Sequence, residues 1–335
     1  MLESTIARAA RLLCIGFPGS SPTEEVADLV RQGVRSVILF ARNAGDRDQV
    51  SRTIAEVKAL ASNPDDPILV CVDQEGGPTV RFTDGFDPPP AMREVGGGGP
   101  EAAAAIGAGL AADLRPVGID LDLAPVVDVD SNPANPVIGS RSFSRDAQVV
   151  GRCGAALVAS MQAGGVAACG KHFPGHGDTD SDSHHDLPVL RHDLERLDRV
   201  ELPPFRAVIE AGVAAIMTTH VVFEAIDPGV PATMSRAAID GLLRGRLGFD
   251  GVVISDDLEM AAIAELPELD GDLGEAAVRA VDAGVDLVLC CHEPERQRRV
   301  IEALAIAIDS GRLDENRITS AHRRLDRLFS GYVRA

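Results

Sequence analysis

Eight short runs rich in Val, Ile and Leu, separated by amphipathic stretches, limit what this chain can fold into. In order they cover residues 12–17, 36–40, 68–72, 119–124, 166–170, 214–218, 251–255 and 285–290. They are continuous rather than alternating, as strands buried on both faces of a parallel sheet are. The fourth, IDLDLA, is the least continuous. Between them lie stretches with helical spacing: 23–32, 46–60, 101–114, 146–163, 194–211, 235–247 and 272–283, with 295–308 and 314–329 closing the chain. In 46–60, for example, Val50, Ile54, Val57 and Leu60 fall on one face. Gly33, Gly165, Gly212 and Gly284 follow helices, where a C-terminus favours glycine. Eight strands alternating with helices predict an α/β fold, a single-domain (β/α)8 barrel over residues 1–335. The competing open doubly wound sheet expects G-x-G-x-x-G after the first strand. GFPGSSP, residues 16–22, is not that pattern.

One segment departs from this rhythm. Residues 171–188, KHFPGHGDTDSDSHHDLP, hold four of the chain's eight His together with four Asp and one Lys. So polar a run predicts a loop between the fifth strand and the next helix. A loop that long inside a compact domain is usually functional or disordered. Its titratable content favours function over a solvated acidic surface loop. Its Gly, Asp and Ser offer few buried anchors, so mobility is expected there.

Composition narrows the partners. Net charge is −19, from 51 acidic against 32 basic residues. Such a balance argues against nucleic acid and anionic membranes, both of which need a basic surface. The six Cys form no CxxC pair and read as buried free thiols of a reducing compartment. The N-terminus lacks the apolar core of a signal peptide, and no run approaches a membrane span. A cytoplasmic, monomeric protein acting on a small molecule is the expectation. Trp is absent and Tyr occurs once, so there is little aromatic surface for a long polysaccharide, and any sugar ligand should be short.

In a barrel, chemistry gathers where the strands end. There the sequence places Asp73, Gln74, Glu75 and Arg81 after the third strand, and Asp128, Asp130 and Arg141 after the fourth. Lys171 and His172 follow the fifth, Thr218 to His220 the sixth, Asp256 and Asp257 the seventh, and His292 the eighth. Three readings fit such a mouth. Glycosyl transfer needs a carboxylate on one face of the sugar and a proton donor on the other. Asp256, fixed at a strand end, suits the first task. His184, oriented by Asp182 two residues earlier in an extended loop, suits the second. Metal-assisted hydrolysis could use His172, His176, His184 and His185. Their spacings match no standard zinc pattern, however, and H-E-x-x-H is absent, so no metal or cofactor is expected. A non-catalytic sugar-binding barrel is the third.

The segment KHFPGHGDTDSDSHHDLP resembles the signature loop of family 3 glycoside hydrolases of the bacterial β-N-acetylglucosaminidase type, K-H-F-P-G-H-G-x-x-x-x-D-S-H. VDQEGG (72–77), APVVDVDSNPANPVIGSRSF (124–143), MTTHVVFEAIDPGVPATMS (217–235) and GVVISDDLEM (251–260) resemble further blocks of that family in the same order. The resemblance spans about residues 10–330 and implies a (β/α)8 barrel without a second domain. It also implies an exo-acting, retaining β-N-acetylglucosaminidase working through a covalent glycosyl-enzyme on short, peptidoglycan-derived sugars. Asp256 matches the nucleophile, His184 the acid/base and Asp182 its partner. Lys171 and His172 match residues that hold sugar hydroxyls, and Asp73, Arg81 and Arg141 match further contacts to the terminal sugar. His176 is expected to shape the loop, His220 to form a wall or lie behind it, Asp257 to support Asp256, and His185 and His292 to be surface or packing residues. Pro78 stands where the family commonly has Arg. The alternatives kept open are a β-glucosidase, and a phosphorylase that uses phosphate in place of water.

Overall fold

The computed structural model describes residues 4–63, 65–183 and 187–334. Its eight long-range runs close into one all-parallel barrel. The barrel strands are Leu13–Ile15, Ser36–Leu39, Leu69–Val72, Leu121–Asp122, Ala167–Phe173, Ala215–Thr218, Val252–Asp257 and Leu287–Cys290. Each pairs with its sequence neighbours, and the eighth closes on the first with Cys14 opposite Leu289. Helices return the chain outside each strand, so both strand faces are covered. That is why nearly every strand residue is buried and why the runs show no alternation.

Two buried acids at strand starts, one in the weak fourth run and one in the eighth, have a structural role. Asp120 is fully buried beside the start of that strand. It accepts the Val70 N–H at 3.0 Å and pairs with Lys58 and Arg115. Asp286 does the same before the eighth strand, accepting the Val253 N–H at 2.9 Å between Arg244 and Arg324. These carboxylates bind strand to strand and strand to helix at the end of the barrel away from the mouth.

Several boundaries differ from the sequence reading. Helix 194–211 is two helices, Leu194–Arg199 and Leu202–Glu210, because Pro203 and Pro204 open the second one. The helix expected at 101–114 is the latter part of Met92–Val117, kinked where Gly99 takes φ 75° before Pro100. A short helix, Thr5–Ala10, precedes the first strand. Val189–Leu190 and Val222–Phe223 form a small separate parallel pair over the mouth of the fifth and sixth strands. All six Cys are free and buried. No helix among the described residues is long and apolar enough to cross a membrane.

Candidate active site

The fifth and seventh strands are the two that depart from regular register, and both do so at their mouth ends. Gly170 faces Ile216 while Phe173 faces Thr218, so the fifth strand carries one extra residue across Lys171 and His172. Ile254 faces Leu287 while Asp257 faces Leu289, so the seventh carries one extra residue across Ser255 and Asp256. A bulge of this kind bends a strand and re-aims its side chains. Here it turns Lys171, His172 and Asp256 into one cavity of about 680 Å³. The same register makes Lys171 to Phe173 strand rather than loop, a correction to the sequence reading. Polar residues can end a buried strand because each has a partner waiting in the mouth.

On one side of the cavity the charges interlock. Lys171 Nζ lies 2.7 Å from Asp73 Oδ1 and 2.6 Å from Glu75 Oε1. Arg141 donates two parallel hydrogen bonds to Glu75, both 2.8 Å, the fork geometry that suits guanidinium to carboxylate. Arg81 approaches the other Asp73 oxygen at 3.4 Å. Burial opposes the charge on Glu75, but Arg141 and Lys171 outweigh it and hold the carboxyl well below its usual range. Burial likewise works against the Lys171 ammonium, and Asp73 and Glu75 reverse that and keep it protonated. Two of its three N–H donors meet those carboxylates. Such an array of fixed donors and acceptors can hold several hydroxyls of a ligand at once. Glu75 was placed at the mouth by the sequence but given no role, although it sits inside the D-Q-E-G-G block that supplied Asp73.

Asp256 lines the opposite side. It is partly buried at the cavity wall, and that burial disfavours its charge. His172, His220, the Asp257 N–H at 2.9 Å and Lys171 together hold its carboxyl below the ordinary range. His172 is itself fixed from behind: Asp128 accepts from the His172 backbone N–H at 3.1 Å and contacts its Nδ1 at 2.7 Å. Its other oxygen accepts the His176 N–H at 2.7 Å. Asp128, present in the mouth by sequence but given no role there, therefore sets both imidazole-bearing residues. His220 is buried behind the seventh strand with Nε2 3.0 Å from the Asp257 carbonyl, as expected of a residue behind the wall. Burial pushes its pKa down. Asp257 accepts the Glu259 N–H at 3.1 Å, the local backbone contact weighed for it, and also faces His292 at 3.2 Å. His292 is exposed and packs on Phe40, as a surface or packing residue would, and it also lines the cavity.

The signature segment is anchored rather than loose over its described part. Asn135 Nδ2 donates to the His176 and Thr179 carbonyls at 2.9 and 3.0 Å, Ser131 donates to Asp178 at 2.8 Å, and Asp178 also holds His192. His176 is buried between Thr179 at 2.9 Å and Ser183 at 3.0 Å, and burial pushes its pKa down to about 4, so it is neutral and shapes the loop. Gly177 passes so close to the Val129 carbonyl that a Cβ would lie 1.8 Å from the oxygen, which accounts for the second glycine of the motif. These anchors come from the loop after the fourth strand, out of reach of a local reading. Asp182 is half-buried next to Ser183, which lines the cavity. His184 and His185 lie outside the described residues. Pro78 is exposed in a turn closed by reciprocal Gly76 and Thr79 hydrogen bonds, so that departure falls beside the cavity, while Thr79 and Arg81 line it. Among the described residues no cluster of three or more His, Cys, Asp or Glu is arranged to hold a metal ion.

Comparison with known proteins agrees with this geometry. The model of the glycosyl hydrolase family 3 N terminal domain matches residues 7–328. A beta-hexosaminidase of Thiobacillus denitrificans is 43% identical over 280 residues, covering 82% of this chain and 76% of that protein. A family 3 beta-N-acetylglucosaminidase from Paenibacillus sp. superimposes with a TM-score of 0.94 at 42% identity; it covers 99% of this chain, which spans 62% of that longer one. A beta-N-acetylhexosaminidase from Beutenbergia cavernae gives a TM-score of 0.89 at 31% identity, covering 97% and 98% of the two chains. With its barrel, its signature segment and its mouth residues all in family order, the chain belongs to glycosyl hydrolase family 3.

Proposed function

We propose that the protein is an exo-acting retaining β-N-acetylglucosaminidase that removes terminal N-acetylglucosamine from short glycosides. The observation that carries this reading is one cavity with Asp256 held ionised on one side and the Asp73, Arg81, Arg141, Lys171 and His172 cluster on the other. The cluster would hold the hydroxyls of a terminal sugar and set its anomeric carbon against Asp256. The names of the relatives, beta-hexosaminidase and beta-N-acetylglucosaminidase, support N-acetylglucosamine as that sugar. A closed end built from Lys171, Glu75 and Arg141 suits removal of a terminal residue rather than cleavage within a chain.

In this reading a carboxylate oxygen of Asp256 bonds to the anomeric carbon while the glycosidic bond breaks. The leaving oxygen takes a proton from His184, whose imidazolium Asp182 favours. Water then gives a proton back to His184 and its oxygen displaces Asp256, so configuration is retained. Peptidoglycan fragments as natural substrates and a cytoplasmic location belong to the same proposal and rest on the family resemblance and the cysteine content.

The test is release of p-nitrophenol from the β-N-acetylglucosaminide and the β-glucoside by wild type, Asp256→Asn and His184→Ala. Turnover of the first, abolished in folded Asp256→Asn and strongly reduced in His184→Ala, is expected. Turnover of the glucoside alone would keep the mechanism and overturn the substrate. Full activity in Asp256→Asn would overturn the nucleophile. Sugar 1-phosphate formed in place of free sugar when phosphate is added would replace water as the acceptor.

A further inference from the structure

We infer that His292 is a positioning residue for Asp256, locked in one tautomer by Arg42 and acting through Asp257. The inference rests on the proposed role of Asp256 and adds a residue that the sequence reading had left on the surface.

A chain of contacts links four side chains from three strand ends. Arg42 Nη1 lies 3.2 Å from His292 Nδ1. His292 Nε2 lies 3.2 Å from Asp257 Oδ2. The Asp257 N–H donates to Asp256 Oδ1 at 2.9 Å. A guanidinium only donates, so the ring nitrogen facing it must accept. The proton of the neutral ring then sits on Nε2, the nitrogen that faces Asp257 Oδ2 at 3.2 Å. Asp257 favours the imidazolium and raises the His292 pKa. A second ring proton would point N–H against N–H at Arg42, so the contact at Nδ1 decides which nitrogen is bare in the neutral ring. Glu259 faces the same residue and accepts the His292 backbone N–H at 2.6 Å.

Arg42 is built to stay in place. Its Nε donates to the Phe17 carbonyl at 3.0 Å and its Nη2 to the Cys291 carbonyl at 2.6 Å. Its guanidinium lies 4.3 Å from the Phe40 ring centroid, and the same ring packs against His292 at 5.6 Å. Gly16 leaves room for this: a Cβ there would lie 2.3 Å from the Cys291 oxygen and 2.8 Å from Arg42 Nη2. Asn43 and Gln297 tie the same corner, donating to the Phe17 and Gly16 carbonyls. The G-F-P-G segment after the first strand therefore has a task. It anchors the arginine that sets the imidazole.

Asp257 is then clamped on three sides. His220 holds its carbonyl, His292 one carboxylate oxygen, and the Glu259 N–H the other. Its own N–H fixes an oxygen of Asp256. Small misplacement of a reacting group costs rate rather than binding, so the device should act on kcat and leave KM alone.

The experiment compares wild type, His292→Phe, His292→Gln and Arg42→Met. Phe keeps the packing on Phe40 but neither polar contact, while Gln places an amide nitrogen where Nε2 stands. His292→Phe is expected to lower kcat by about tenfold to a hundredfold, with KM and the stoichiometry of N-acetylglucosamine binding by calorimetry unchanged. His292→Gln should recover most of the loss. In parallel, nitrogen-15 shifts, with the His292 signals identified by their disappearance in His292→Gln, should show an unprotonated Nδ1 in wild type that changes on Arg42→Met. Equal kcat in wild type and His292→Phe, or an Nδ1–H ring in wild type, would overturn the inference and leave the proposed function standing. A wild type inactive on the N-acetylglucosaminide would overturn the proposed function instead, and the tautomer would then decide the inference by itself.

Discussion

Replacing Asp122 by Asn should make the protein more stable, and increasingly so as pH rises. Asp122 ends the fourth strand, fully buried, with Oδ1 accepting the Gln74 N–H at 2.9 Å. Among the described residues its Oδ2 has no hydrogen-bond partner. Burial drives its pKa up to about 7, and the nearby Asp73 and Glu75 add to this, against the Gln74 N–H and Lys171. An unfolded Asp titrates near 4, so the native state holds this proton about three units more tightly. At about 1.36 kcal/mol per unit, the group contributes about 4 kcal/mol to stability. The sign follows from linkage. The contribution is complete below pH ~4, where both states are protonated, and is lost as pH rises through about 7. Asn resembles the protonated acid and has nothing to lose. The difference in unfolding free energy between Asp122→Asn and wild type, from urea titrations at pH 5, 6, 7 and 8, should therefore grow by about 1.4 kcal/mol per pH unit up to pH 7 and then level off. Other carboxylates are common to both proteins and cancel in the difference. Parallel stability curves would refute the argument, because they would mean that Asp122 is ionised in the native protein at every pH tested.

Other consequences can be checked with the same methods. Glu75→Gln leaves Lys171 and Arg141 facing a single carboxylate; a loss of about 3–5 kcal/mol in urea unfolding is expected, with a raised KM for the N-acetylglucosaminide. Gly177→Ala drives a methyl into the Val129 carbonyl and should lower stability by about 1–3 kcal/mol, read by thermal unfolding, and turnover with it. His176, held neutral down to about pH 4, gives stability that is complete above the unfolded pKa near 6.5 and lost as pH falls toward 4. His176→Gln should flatten the acid limb of the stability curve between those values.

The barrel was legible because strands covered on both faces must be apolar throughout, and eight such runs at even spacing leave few alternatives. Their ends were less so. Lys171 and His172 look like loop residues by composition, and only their partners, Asp73 and Glu75 from the third strand and Asp128 from the loop after the fourth, let them end a buried strand. Asp73, Arg81, Arg141, Lys171, His172 and Asp256 all reach the cavity, as family order implied. Local chemistry alone would not have separated them from Asp120 or Asp286, whose carboxylates serve the opposite end of the barrel. His292 was placed at the mouth but given no role there, because its contacts are Asp257 at the end of the seventh strand and Arg42 after the second. The break at Pro203 and Pro204 was readable in the sequence, since proline lacks the N–H that a continuous helix needs there.

Asp122, fully buried, and Asp256, partly buried, show how one barrel shifts two carboxyls in opposite directions. Burial acts on both in the same direction and would neutralise each alone. Around Asp122 the nearest carboxylates, Asp73 and Glu75, add to that effect, and its one fixed donor is the Gln74 N–H. Around Asp256 there are two imidazoles, an N–H and a lysine, and burial is overcome. Lys171 influences both, yet Asp73 and Glu75 draw its ammonium to one side of the cavity. Opposed shifts of two acids are how acid and base tasks are divided in enzyme sites. Here they separate a carboxyl that stays ionised and faces the cavity from one kept for the frame beneath it. Only the first is suited to attack, and the bulge in the seventh strand is what delivers it.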